Sequence, residues 1–265
     1  MVAREANKVI AQRINYVWRI FATALSFSLF GLGGALVPIF ATPVILLRSN
    51  NSDDRQRMAR SLIQKTFYCF IVFMRSVGIL TWKTEGLERL RRPKLLILAN
   101  HPTLIDVVFL VAFTNNADCV VKGHLRNNLA MRGFIKLTGF MANDHGAALL
   151  DNAEQSIGNG SALIIFPEGT RTTPQQPLRF RRGAANIAIR TGTPVTPVVI
   201  RCNPITLSKQ HNWYNIPSKP FHMQFEVGDD IRPEPYESLP PSLAARRMSS
   251  DLEQHFTQEL NHASA

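Results

Sequence analysis

Two short stretches of this 265-residue sequence hold side chains suited to moving a proton and holding an anion. The first is Asn100-His101-Pro102-Thr103-Leu104-Ile105-Asp106, directly after the apolar run Leu95–Ala99. A His followed by an Asp at this spacing receives a carboxylate hydrogen bond if the turn folds back. That bond fixes the imidazole tautomer and stabilises the protonated ring, which equips the His to take a proton from an alcohol at neutral pH. The same residues, Thr103 to Asp106, also read as a capping box, in which Asp106 only satisfies backbone donors at a helix start. Spacing alone leaves both readings open.

The second stretch is Phe166-Pro167-Glu168-Gly169-Thr170-Arg171, after the apolar run Ala162–Ile165. Gly169 permits close backbone approach, and Arg171 offers a planar fork of donors suited to phosphate. Glu168 is placed to hold a substrate hydroxyl or to orient Arg171. An ordinary strand-to-loop turn with a solvated Glu and Arg has the same composition. Soon after come Arg179, Arg181 and Arg182, ahead of Gly183 and an apolar helix pattern. They suit the phosphates of a carrier or of a lipid, and equally a solvated helix start.

Other chemistries lack a carrier. There is no Gly-x-Ser-x-Gly elbow and no Walker A sequence, and Gly31-Leu32-Gly33-Gly34 lies inside an apolar run without strand–turn–helix context. The His and Cys spacings match no zinc pattern. Cys69, Cys119 and Cys202 sit in apolar surroundings, form no Cys-x-x-Cys pair and are odd in number. They read as reduced, small core residues of a cytosol-facing domain. The net charge of +11 and pI near 10.1 call for an anionic partner. Nucleic acid, anionic lipid and a phosphorylated substrate all qualify on charge, but the basic residues are not interleaved with aromatics as in single-strand binders.

The elements that must position these residues follow from periodicity. Ala6, Ile10, Ile14, Val17 and Phe21 have helical spacing with Arg4, Lys8 and Arg13 on other faces, a basic amphipathic helix suited to a membrane surface. Phe21 to Leu47 carries no formal charge, and as a helix would be about 40 Å long against a hydrocarbon core of about 30 Å. Gly31, Gly33, Gly34, Pro38 and Pro43 within it predict a kink or a re-entrant turn. Lys and Arg are similar on both sides, which suits a segment with both ends on one membrane face. Asp53 to about Leu80 reads as a helix whose second half either dips into the membrane or packs on the first run. Beyond a charged turn at Lys83–Lys94, strands are predicted at Lys94–Asn100, Asp118–Lys122, Ala162–Phe166, Val195–Cys202 and Phe221–Val227. Helices are predicted at Thr103–Phe113, Leu125–Leu137, Gly146–Ile157, Arg181–Thr191 and Ser242–Glu259. This alternation predicts an α/β fold with a mostly parallel mixed sheet covered by helices. The expected division is residues 1–82, a membrane-anchoring helical segment, and 83–265, an α/β domain with a C-terminal helix.

Read together and in order, the two motifs resemble the lysophospholipid acyltransferase family. The resemblance runs from about Leu95 to Arg201 and takes in Lys122, Gly133, Gly139, Phe180, Gly183 and the block Gly192-Thr193-Pro194-Val195-Thr196-Pro197-Val198. It implies that His101 is the general base and that Asp106 orients it. It also implies that Glu168, Gly169, Thr170 and Arg171 contact the acceptor's glycerol and phosphate, with Asn100 and Lys122 nearby. The implied donor is acyl-CoA or acyl-acyl carrier protein, with no further cofactor and no metal. The implied partners are a membrane lipid acceptor and an anionic membrane surface, not nucleic acid. The implied location is the cytosolic face of a membrane, the bacterial inner membrane, with monotopic or single-span attachment. Two positions depart from the family pattern. His145 stands where phosphate-acceptor enzymes usually carry Arg, and His124 where a Glu usually follows the Lys, which opens the acceptor to other lyso-lipids.

Overall fold

The computed structural model describes residues 2–129, 131–143 and 146–262. Helix α1 (Val2–Arg48) is followed by a short turn and α2 (Ser52–Ser76). Then come β1 (Leu80–Glu85), β2 (Leu95–Ala99), α3 (Asp106–Phe113), β3 (Ala117–Val121), α4 (Arg132–Thr138), β4 (Met141–Ala142) and α5 (Gly146–Gly158). The chain ends with β5 (Ala162–Ile165), α6 (Gly183–Thr191), β6 (Val195–Asn203), β7 (Phe221–Val227) and α7 (Pro241–His262). The strands form one seven-stranded sheet in the order β1-β7-β6-β2-β5-β3-β4. Every neighbouring pair is parallel except β6 with β7.

Strands buried on both faces must be apolar throughout, and β2, Leu-Leu-Ile-Leu-Ala, is wholly buried. Its alternate residues feed two cores. Leu95, Ile97 and Ala99 meet Ile63, Phe67, Ile71 and Met74 of α2, with α3 and α4. Leu96 and Leu98 point to the other face, against α5, α6 and the α7 residues Ala245, Met248, Leu252 and Phe256. The apolar runs predict five of the strands to within a residue at each end. They miss β1 and β4, both at sheet edges: β1 is half polar, which an edge with one open flank tolerates, and β4 is only the two residues Met141–Ala142. The expected boundary at 82/83 falls inside β1. The helix predicted at Leu125–Leu137 is instead a 3₁₀ turn over Gly123–Asn127 followed by α4.

The re-entrant turn expected within Phe21–Leu47 is not formed, since α1 stays helical through both Pro38 and Pro43. Its 47 residues make it about 70 Å long. Pro38 cannot donate to Gly34 O. That segment of α1 instead lies against Gly133 of α4, where a Cβ would stand 2.7 Å from Pro38 Cγ and 3.2 Å from Gly34 O. Thr42 Oγ1 donates to Pro38 O at 2.6 Å. Within Gln12–Arg48 the apolar window of mean hydropathy 2.0 is only 17% buried. Val17, Phe21, Ile39, Phe40 and Leu47 are exposed along it. A helix this long, apolar and uncovered fits association with a membrane. Cys69, expected in the core, is exposed on α2, whereas Cys119 is buried and Cys202 half-buried.

Candidate active site

Parallel strands deliver their C-terminal ends to one edge of a sheet, and the loops there collect reactive groups. In the chain of pairings Leu95–Ala162 and Ala117–Ala162, strands β2, β5 and β3 run side by side in one direction. Asn100-His101 after β2, Phe166 to Arg171 after β5 and Lys122 after β3 therefore rise from the same edge.

His101 Nδ1 lies 2.9 Å from Asp106 Oδ2. Asp106 is completely buried, while the His101 side chain keeps 18% of its surface open. Asp106 also accepts the Thr103 backbone N–H at 2.7 Å on Oδ2 and the Thr103 hydroxyl at 2.5 Å on Oδ1. The capping-box contact and the His contact thus coexist on one carboxylate. The helix starts at Asp106, three residues after the expected Thr103, because Pro102 to Ile105 form the turn that folds His101 back. With Asp106 on Nδ1, the ring's Nε2 is the nitrogen left for a substrate proton. The ring stacks on Phe166, with centroids 4.2 Å apart and planes at 26°.

The second motif supports the first. Glu168 Oε1 accepts the His101 backbone N–H at 3.0 Å and the Thr172 hydroxyl at 2.6 Å. Thr172 N donates back to His101 O at 2.7 Å, and Thr172 Oγ1 also accepts from His101 N at 3.2 Å. Glu168 therefore orients the His101 backbone rather than Arg171. Burial pushes its carboxyl above the usual range, opposed by the hydrogen bonds from Thr172 and His101. Gly169 sits at φ +66°, where a side chain is strained. Thr170 is half-buried in the same turn.

Arg171 is tied to the loop after β6 through one of its guanidinium nitrogens. Its Nη1 donates to Leu207 O at 2.9 Å and to Ser208 O at 2.8 Å. Leu207 O also accepts Leu104 N at 3.0 Å, so the loop after β6 is tied to both motifs. Asn100 is structural as well. Its amide bridges to β6, donating to Ile200 O at 2.8 Å and accepting from Ile200 N at 2.7 Å. Lys122 is exposed at the end of β3, and His124 is exposed in the 3₁₀ turn behind it. His145 lies outside the described residues. Sequence reasoning missed Thr172, the Phe166 stacking and the Leu207–Ser208 carbonyls. The first two lie within or beside the second motif, but the last carry no side-chain signal at all.

The Acyltransferase family model matches residues 81–201, which contain both motifs. Several characterised relatives bear one name. The 1-acyl-sn-glycerol-3-phosphate acyltransferase of Saccharomyces cerevisiae is 24% identical over 77% of this chain and 66% of its own length. That of Pseudomonas aeruginosa is 26% identical over 68% of each. That of Helicobacter pylori is 28% identical over 63% of this chain and 71% of its own. The chain thus spans about two thirds of the length of these relatives. Among solved structures, the 1-acyl-sn-glycerophosphate acyltransferase of Thermotoga maritima superposes with a TM-score of 0.67 at 18% identity, covering 94% of this chain and 98% of that one. Its fold is the one described above, and both motifs stand in order at one edge of that sheet, inside the stretch that matches the Acyltransferase family model.

Proposed function

We propose that the protein is an O-acyltransferase that moves a fatty acyl group from a thioester to the hydroxyl of a lysophospholipid, with 1-acylglycerol-3-phosphate as acceptor and phosphatidic acid as product. The observation that carries this reading is the His101–Asp106 pair, a partly open imidazole held by a fully buried carboxylate. The names of the relatives support the acceptor.

In this reading the acceptor hydroxyl donates to His101 Nε2, and Nδ1–H is held by Asp106. As the oxygen attacks the thioester carbonyl, the proton passes to Nε2, and Asp106 stabilises the imidazolium. A C–O bond forms and the C–S bond breaks as the tetrahedral adduct collapses. The departing thiolate takes the proton back, so the enzyme ends as it began. Glu168 and Thr172 hold the His101 backbone, which keeps Nε2 aimed during both transfers. The donor is acyl-CoA or acyl-acyl carrier protein. The acceptor lives in a bilayer, and α1 gives the protein an apolar surface for one; the chemistry sits at its cytosolic face.

Acyl transfer by the purified protein, with a panel of lyso-lipid acceptors and both donor types, tests this reading beside His101→Ala. Wild type should acylate 1-acylglycerol-3-phosphate, and the variant should lose on the order of a hundredfold or more. A folded, membrane-bound wild type inert on every acceptor would refute the proposal. A His101→Ala protein as active as wild type would refute the general-base role.

A further inference from the structure

Arg19 of α1 is a buried cation without a counter-charge. It is only 3% exposed and forms no ion pair among the described residues. Its Nε donates to Asn15 O at 3.3 Å and its Nη2 to Ser218 O, both main-chain carbonyls. Its Nη1 is buried with no hydrogen-bond partner among the described residues. Burying a charge is costly unless it is paired, so such a group calls for an anion. A water would satisfy the N–H but not the charge.

Arg19 lines a cavity of about 20 Å³ between α1 and the loop that joins β6 to β7. Lys219 and Trp213 line the same cavity and are exposed, so it opens to the surface. Its volume admits about one oxygen atom. Most of its other walls are apolar, among them Phe27, whose ring lies 5.6 Å from that of Trp213. The neighbours of Arg19 along α1, Trp18, Ile20 and Phe21, are exposed, as is Tyr214 beside Trp213. Trp and Tyr suit the headgroup level of a bilayer, where one end is apolar and the other wet.

We infer that Arg19 and Lys219 form a headgroup site for an anionic phospholipid, built from α1 and the β6–β7 loop rather than from the two motif turns. One charged phosphate oxygen enters to Arg19 Nη1, and the rest of the group stands at the mouth beside Lys219. A free phosphate offers the same oxygen, but the apolar walls and the exposed aromatics select a lipid. Leu207, whose carbonyl accepts from Arg171 and from Leu104, lines the same cavity. A lipid held here therefore abuts the loop that is tied to both motifs.

The experiment places the full chain in neutral detergent micelles doped with phosphatidylglycerol or with phosphatidylcholine, and reads bound lipid by native mass spectrometry. Phosphatidylglycerol should bind saturably, and phosphatidylcholine about tenfold more weakly or less. Arg19→Gln should weaken the anionic lipid by roughly tenfold to a hundredfold, the range for a lost charged hydrogen bond. Lys219→Gln should weaken it by about two- to fivefold, as for an exposed ion pair. Arg13→Gln removes the same charge from an exposed position on the same helix and should leave the affinity near wild type. Equal losses in Arg19→Gln and Arg13→Gln would overturn the site, because only the overall field of the protein would then be acting. Equal binding of the two lipids would overturn it as well. Displacement by inorganic phosphate at the lipid's own concentration would assign the site to free phosphate and overturn the lipid. If Arg19→Gln does not fold, Lys219→Gln decides, and an unchanged affinity there overturns the site. Turnover is not measured, so this result and that of the acyl-transfer assay stand or fall separately.

Discussion

Two aspartates in this molecule are buried with nearly the same set of partners and serve opposite ends. Asp106 accepts from a His ring, a Thr hydroxyl and a backbone N–H. Asp118, at the start of β3, accepts from Arg60 of α2 at 2.7 Å, from the Ser156 hydroxyl at 2.6 Å and from the Cys119 backbone N–H at 2.8 Å. Both carboxylates are sealed, but their partners differ. Arg60 is buried as well, and its guanidinium also donates to Thr138 O, Ser161 Oγ, Asn116 Oδ1 and Gln56 Oε1. His101 keeps part of its ring open. A guanidinium offers only donors, whereas an imidazole nitrogen can accept a proton. In the mechanism proposed above, the difference between a clamp and a proton carrier lies in the partner's chemistry and exposure, not in the carboxylate.

His101→Ala should have the largest effect of all and put the comparison under the most direct strain. It should cost about 10²- to 10⁴-fold in rate with a smaller fall in unfolding temperature than Asp118→Ala, because Asp106 keeps both Thr103 donors. A large fall in unfolding temperature would mean that this pair, too, is a clamp. Asp118→Ala should do the reverse. It leaves the Arg60 charge buried and unpaired, a loss of about 3–5 kcal/mol, or roughly 6–20 °C in unfolding temperature. Acyl transfer per folded molecule should persist. Replacing both partners, as Arg60→Met with Asp118→Leu, should restore most of that stability, which a calorimetric scan would read directly. If the double variant is no better than Asp118→Ala, the pair acts through more than its charges.

The smallest effect concerns Glu168. Burial raises its carboxyl, so ionising it costs the fold stability. Its favourable contribution is present below the ordinary carboxylate pKa and is lost as pH rises through the raised value. Glu168→Gln keeps an oxygen to accept from His101 N–H and does not titrate. The unfolding temperature of the variant relative to wild type should therefore climb between pH 4 and pH 7. A flat difference over that interval would show that Glu168 is well solvated.

The clamp and the carrier were not equally legible. His101 and Asp106 lie close in sequence, so one turn brings them together and the spacing exposes them. Arg60 and Asp118 are separated by 58 positions and meet only because α2 packs on the sheet. No local pattern marks such a pair. The same logic covers the rest. Strands buried on both faces were visible as unbroken apolar runs, whereas β1, half polar and at an edge, resembled a charged turn. The prolines of α1 predicted a break because a local rule cannot know that Gly133 of α4 lies against that stretch. Arg171 was recognised as important, but its target, two carbonyls more than thirty residues away, has no side-chain signature.

Helix α2 belongs to two structures at once. Its Phe67 shares a cluster with Phe30 of α1 and Phe134 of α4, and the same Phe67, with Ile63, Ile71 and Met74, forms part of the core beneath the sheet. The long apolar helix and the sheet therefore share a wall, so they should unfold as one cooperative unit. Removing the first 77 residues does not trim a tether: it strips the floor from the catalytic sheet. If α1 holds the protein to a membrane as proposed, solubility is gained by repainting its exposed face, not by shortening the chain.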